Sequence, residues 1–221
     1  MGTTVASSQA CTGLATKHAA VYAAVGIQPN CVAEANPGDW DRLVQLAQRP
    51  KVVAVGETGL DRHWDYTPFG LQQEYFQRHL QLARQCNLPV IVHMRDCPSE
   101  MLDMLRQAQR SGPLRGIMHA FTGDADLAAQ CVALGLAISF AGMVTFKKCA
   151  ELRACAATVP ANQLVVETDS PYLAPTPVRG QRRNEPANLP YTAACLAALR
   201  GQSLADFATQ TTANARRLFG L

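Results

Sequence analysis

Six short apolar runs, each followed by a stretch with helical spacing, constrain this chain more than any other feature. They are residues 21–27, 52–57, 89–93, 116–121, 137–142 and 164–168. Consecutive apolar residues, rather than alternating ones, suit strands buried on both faces. Between them lie segments that predict helices: 7–18, 39–48 with Asp39 as N-cap, 72–86, 100–109 opened by Ser99, 124–134 with Asp124 as cap and Gly135 as stop, and 147–157. Two more follow at 188–199 and 204–218, the second opened by a capping-box pattern, Ser203-Leu-Ala-Asp206. Strands alternating with helices imply a parallel sheet in an α/β fold. The expected fold is a TIM-type (β/α) barrel with about six to seven βα units, truncated at its N-terminus. An open doubly wound sheet is the alternative, weakened because no Gly-x-Gly-x-x-Gly follows a strand.

Composition narrows the setting. The 221 residues are 48% hydrophobic and 17% charged, as in a globular chain that forms one domain over 1–221. A formal net charge of +3 does not by itself argue for nucleic acid. The eight cysteines contain no Cys-x-x-Cys pair, and several, such as Cys86, Cys131 and Cys195, fall within apolar patterns. They read as reduced thiols and the compartment as cytoplasmic. No basic region with an apolar run opens the chain, and no run approaches the ~20 residues of a membrane span.

Polar, metal-competent side chains stand where the strands end. Glu57 closes the second run, His93 the third, His119 lies in the fourth, and Asp169 follows the sixth beside Glu167. At the C-terminal edge of parallel strands, such residues converge on one mouth. Imidazole with carboxylate suits Zn²⁺ or Mn²⁺, and the carboxylates shift the balance toward Mg²⁺ or Mn²⁺. His18 and His79 read as solvated helix positions, and His63 as a loop residue on the substrate side.

These stretches carry a resemblance. Val55-Gly-Glu-Thr-Gly-Leu-Asp61, Pro89-Val-Ile-Val-His-Met-Arg-Asp96, Met118-His-Ala-Phe-Thr-Gly123, Ser139-Phe-Ala-Gly142 and Glu167-Thr-Asp-Ser-Pro-Tyr-Leu-Ala-Pro175 occur in that order. Arg179-Gly, Arg183-Asn-Glu-Pro186 and Asn214-Ala-Arg-Arg-Leu-Phe-Gly220 complete the set. The whole chain resembles the TatD-type metal-dependent deoxyribonucleases, of the amidohydrolase-like barrel class. The resemblance implies two divalent ions, with Glu57 bridging them, His93 and His119 holding one, and Asp169 holding the other. It implies Asp169 as the base for the attacking water, Arg95 near the substrate, and Arg179 and Arg183 on a loop beside the mouth, where they could hold phosphate oxygens of DNA.

The chain departs from the family in two places. It has no His-x-His pair, the feature with which the family opens its first strand. The family's Gly-x-His-Pro-His turn reads Gly26-Ile-Gln-Pro-Asn30. The second metal site is therefore expected to be incomplete, the substrate contacts of that turn altered, and nuclease activity impaired. Two rival expectations share the scaffold: an ester or amide hydrolase, such as an aminoacyl-tRNA deacylase, and a barrel remnant without turnover.

Overall fold

A computed structural model describes residues 1–221. Its elements are α1 (Val5–Lys17), β1 (Ala23–Val25), α2 (Asp39–Ala47), β2 (Val52–Asp61), α3 (Phe69–Gln85), β3 (Val90–Arg95), α4 (Pro98–Arg110) and β4 (Gly116–Met118). Then come α5 (Ala125–Ala133), β5 (Leu136–Phe140), α6 (Ala150–Thr158), β6 (Leu164–Val166), α7 (Leu189–Leu199) and α8 (Leu204–Phe219). The sheet has six strands in the order β1-β2-β3-β4-β5-β6, and β1–β2, β2–β3 and β5–β6 pair parallel. A doubly wound sheet reverses direction at a switch point, whereas this order never reverses. The open doubly wound alternative is thereby excluded in favour of the TIM-type βα succession.

The chain divides into two compact units, residues 1–117 with Gly220, and residues 118–219 with Leu221. In the first, Leu43, Leu60, Phe76, Met101 and Leu105 are fully buried, so the apolar faces of α2, α3 and α4 meet the strands. In the second, Leu136, Ile138, Phe140, Leu164, Leu196 and Phe207 do the same. Thr4 caps α1 through a box with Ser7, and Asp124 caps α5 by accepting from the Leu127 amide. Ser203 and Asp206 bond reciprocally at the start of α8, as their spacing predicts.

Several expectations need correction. The N-cap of α2 is Gly38 and not Asp39, which is the first helical residue and instead accepts from the Asn36 amide. The cap of α4 is Cys97, with Pro98 and Ser99 already inside the helix. The second strand runs on to Asp61, so Glu57 lies within it. His79 is fully buried. Its Nδ1 donates to the Tyr75 carbonyl at 2.7 Å, its Nε2 accepts from the Ile27 amide at 3.0 Å, and the Trp40 ring packs edge-on 5.0 Å away. With both nitrogens satisfied, it is a core residue joining α3 to the segment after β1.

Candidate active site

In the first unit the site grows from the pairing of β2 with β3. Gly59 stands opposite His93, Leu60 opposite Met94 and Asp61 opposite Arg95. A Cβ at Gly59 would come within 1.9 Å of the His93 carbonyl oxygen, and its φ is +140°, so only glycine lets the strands approach here. The register shifts between Val55 and Thr58. Such an irregularity re-aims a side chain, and Glu57, buried to 8% exposure, lies within it. The Glu57 amide donates to the Gly2 carbonyl, which ties this residue to the start of the chain.

His93 is held between two carboxylates. Its Nδ1 lies 3.0 Å from Glu57 Oε1 and its Nε2 2.9 Å from Asp61 Oδ2. Burial opposes the charged ring, but the bonds to Asp61 and Glu57 outweigh it and raise the imidazole to about 9. Asp61 is itself fixed on both oxygens. Oδ1 accepts from the His63 and Trp64 amides, and Oδ2 from Asn30 Nδ2 and His93. Against the opposing effect of burial, these bonds hold the Asp61 carboxyl down to about 2. Asn30, in the turn after β1, presents its side-chain N–H to this carboxylate at 2.9 Å. Its Oδ1 is buried without a partner.

The second unit repeats the arrangement. His119 follows β4 directly, and its Nδ1 bonds to Glu167 Oε2 while its Nε2 lies 3.3 Å from Asp169 Oδ1. Glu167 Oε1 accepts from the Ala120 amide at 2.7 Å. Burial would raise the Glu167 carboxyl, but the charge and hydrogen bond of His119, with bonds from Ser139 and Ala120, hold it below its usual range. Ala120 and Asp169 both have positive φ, 41° and 52°. Such conformations are sparsely populated for residues other than glycine and cluster at functional sites. Asn184, buried to 2% exposure, donates to the Thr168 and Tyr172 carbonyls and so clips the turn that carries Asp169. Ser170 Oγ on that turn is buried without a partner.

The structure thus brings Glu57 together with His93, and His119 together with Asp169. Each of the three arginines has a partner of its own. The Arg95 guanidinium lies over the Trp64 ring, that of Arg179 over Phe146, and Arg183 bonds to Glu185. Sequence reasoning did not assign Asp61, Glu167, Asn30 or Asn184. Asp61, Glu167 and Asn184 lie inside the motif stretches, which was the one signal available for them.

The donor set fits a divalent cation. Each imidazole has one nitrogen fixed by a carboxylate, Asp61 or Glu167, and the other turned toward a second carboxylate, Glu57 or Asp169. A ring oriented through its far nitrogen by a carboxylate is the usual arrangement of a metal-ligating histidine. The donors here are closed on one another as ion pairs, and no three His, Cys, Asp or Glu side chains form a ready-made cage. A cation would displace the proton between imidazole and carboxylate.

Comparison with known proteins decides the family. The profile of the family described as "TatD related DNase" matches residues 1–220. This chain belongs to the TatD family. It is 39% identical over 199 residues to the "Uncharacterized metal-dependent hydrolase YabD" of Bacillus subtilis, covering 90% of this chain and 77% of that one. It is 34% identical over 224 residues to the "3'-5' ssDNA/RNA exonuclease TatD" of Escherichia coli, covering 100% and 86%. Among solved structures, the TatD homologue YJJV of Escherichia coli superposes with a TM-score of 0.92 at 30% identity, covering 100% of this chain and 85% of that chain. An uncharacterized amidohydrolase of Saccharomyces cerevisiae has the same fold, with a TM-score of 0.81 at 19% identity. The protein is a metal-dependent hydrolase of the TatD family, acting on ester bonds.

Proposed function

We propose that the chain hydrolyses phosphodiester bonds in DNA, with Glu57, His93, His119 and Asp169 as its metal ligands. The observation that carries this reading is the repeated pairing of an imidazole with two carboxylates, once in each unit. A bound divalent ion, Mg²⁺, Mn²⁺ or Zn²⁺, would supply Lewis acidity at the phosphoryl oxygen and a nucleophilic water at neutral pH. The water oxygen forms a bond to phosphorus, the bond from phosphorus to the leaving ester oxygen breaks, and that oxygen takes up a proton. Asp169 accepts the proton lost by the water, as a carboxylate within hydrogen-bond reach can. Asp61 and Glu167 keep His93 and His119 oriented throughout. Arg95, Arg179 and Arg183 hold phosphate oxygens, which requires Arg183 to exchange its bond with Glu185 for one to substrate. Such backbone contacts make binding salt-dependent and weakly selective for sequence.

With these donors alone, one ion would be held more tightly than a second, since carboxylates alone select less well among such ions, and turnover would be slow. All eight cysteines are free, and burial pushes the Cys97, Cys131 and Cys155 thiols up to about 11, 12 and 11. Inert reduced thiols are in keeping with a cytoplasmic protein, and no helix is long and apolar enough to cross a membrane. Incubation of the chain with labelled DNA and Mn²⁺, with and without chelator, tests the reading. Cleavage that the chelator stops and that Asp169→Asn abolishes is the expected result. Hydrolysis of aminoacyl esters with DNA left intact would replace the reading with the deacylase alternative.

A further inference from the structure

Two turns meet at the C-terminal edge of the first unit's strands. Residues 62–68 join β2 to α3, and residues 96 and 97 join β3 to α4. The Arg62 amide donates to the Arg95 carbonyl at 2.9 Å. The Arg62 guanidinium bonds to Glu100 at 2.7 Å and lies over the Phe69 ring. The turns are therefore joined without His63. His63 makes a further bond across them, with its Nδ1 3.1 Å from Asp96 Oδ2. Both side chains face solvent, His63 at 40% exposure and Asp96 at 63%. An exposed pair of this kind contributes little to stability. Asp96 nonetheless holds a positive φ of 57°, a region sparsely populated by residues other than glycine and recurrent at functional sites.

What the pair does fix is the His63 ring. An ionised carboxylate only accepts, so Nδ1 carries a proton and donates it to Asp96. The Trp64 indole meets the imidazole at 89°, with centroids 4.7 Å apart. Nε2 makes no hydrogen bond within the chain. The His63 amide donates to Asp61 Oδ1 at 2.8 Å, and Asp61 Oδ2 lies 2.9 Å from His93 Nε2. One carboxylate thus stands between the backbone of His63 and a candidate metal ligand. Breaking the bond from phosphorus to an alkyl ester oxygen leaves an alkoxide, a strong base, so that oxygen needs a proton as it departs. In the hydrolysis described above, Asp169 takes the proton of the water, while the proton of the leaving oxygen has no assigned donor. We propose that His63 is that donor and Asp96 its positioning residue. This role rests on the phosphodiester reading and adds a catalytic group to it. The charged ring gives its Nε2 proton to the leaving oxygen as the bond to phosphorus breaks. It is left neutral, with its Nδ1 proton still on Asp96. The exposed ring then regains a proton from solvent and Asp169 releases the one it took, so protons balance over a turnover.

Two diesters separate a proton donor from a strut. The alkoxide leaving group of DNA needs protonation, whereas p-nitrophenolate leaves unaided. In Mn²⁺, His63→Gln is expected to slow cleavage of a short DNA oligonucleotide by about 100-fold or more, as loss of a general acid does, and hydrolysis of bis(p-nitrophenyl) phosphate by less than about tenfold. Asp96→Asn should move the two rates apart in the same direction and by less. Asparagine tolerates the backbone of this position, so that variant decides the matter if His63→Gln does not fold. Arg62→Gln, which removes the other side-chain bond between the turns, should leave the ratio of the two rates as it is. A second readout needs neither metal nor turnover. Long-range proton–nitrogen NMR of the metal-free chain should place the proton of neutral His63 on Nδ1, and Asp96→Asn should move it toward Nε2. Equal losses on both diesters in His63→Gln, no loss on either, or a neutral ring protonated at Nε2 in the unmodified chain overturns the proton donor. In each of these cases the phosphodiester reading stands as long as DNA is cut. A chain that does not cut DNA in Mn²⁺ overturns that reading and this role with it.

Discussion

Asp61 accepts four hydrogen bonds from four residues, Asn30, His63, Trp64 and His93. Its role is to hold the His93 ring with Nδ1 turned to Glu57. Replacing an orienting carboxylate of this kind typically lowers metal affinity by about 10–100-fold. Asp61→Asn is therefore expected to weaken Mn²⁺ binding by that order in calorimetry while the fold persists, and Glu167→Gln to do the same through His119. His79 gives a second prediction, in stability. Burial, chiefly, lowers it from 6.5 to about 4. Between those values the unfolded chain binds the proton and the folded chain does not, so this contribution is present above about pH 6.5 and is lost as pH falls toward 4. From about pH 7 to about pH 5 the loss is roughly 2 kcal/mol. Urea midpoints at the two values should fall less in His79→Gln than in the unmodified chain. His79 also shows what the sequence hid. Its helical spacing did not reveal that Trp40, on another helix, and Ile27, 52 positions away, would close over it.

At the scale of elements, the six strands were legible because each is a compact apolar run with no competing period. Their ends were less so. The run at β2 was expected to stop at Glu57, the first charged residue, but it continues to Asp61. Thr58, Gly59, Leu60 and Asp61 are all buried, and Gln72 and Asn30 satisfy Asp61 from outside the strand. Polar partners supplied by distant segments cannot be seen along one strand. The same holds for Glu167, whose ligands His119 and Ala120 come from the connection after β4. Gly59 is the position where strand pairing and site coincide. Gly59→Ala places a Cβ against the His93 carbonyl oxygen and is expected to destabilise by about 3 kcal/mol or more, seen as loss of soluble protein or a collapsed melting temperature. Arg200 is a milder case. Its guanidinium caps the end of α6 by donating to the Ala156, Ala157 and Val159 carbonyls. Arg200→Ala should lower Tm by roughly 3–8 °C, corresponding to about 2 kcal/mol for charged hydrogen bonds, with metal binding unchanged.

At the scale of the molecule, strand order and family membership agree, and both units place a histidine between carboxylates near a strand end. The ordered motifs made Glu57, His93, His119 and Asp169 legible as candidates, because ligand-type residues recur at successive strand ends. The arrangement of the arginines was not legible, since exposed guanidinium groups take whatever ring or carboxylate lies within reach, as Arg179 does with Phe146 and Arg183 with Glu185. The central claim is that hydrolysis by this chain depends on a divalent ion and that His93 and His119 are among the ion's ligands. Metal content by mass spectrometry, taken together with the rate of DNA cleavage in Mn²⁺, tests it on the unmodified chain, His93→Ala and His119→Ala. The account predicts one tightly held ion and slow, chelator-sensitive cleavage in the unmodified chain, with metal content and cleavage falling together in both variants. Cleavage indifferent to chelator, or a variant that retains full metal content and rate, would contradict it.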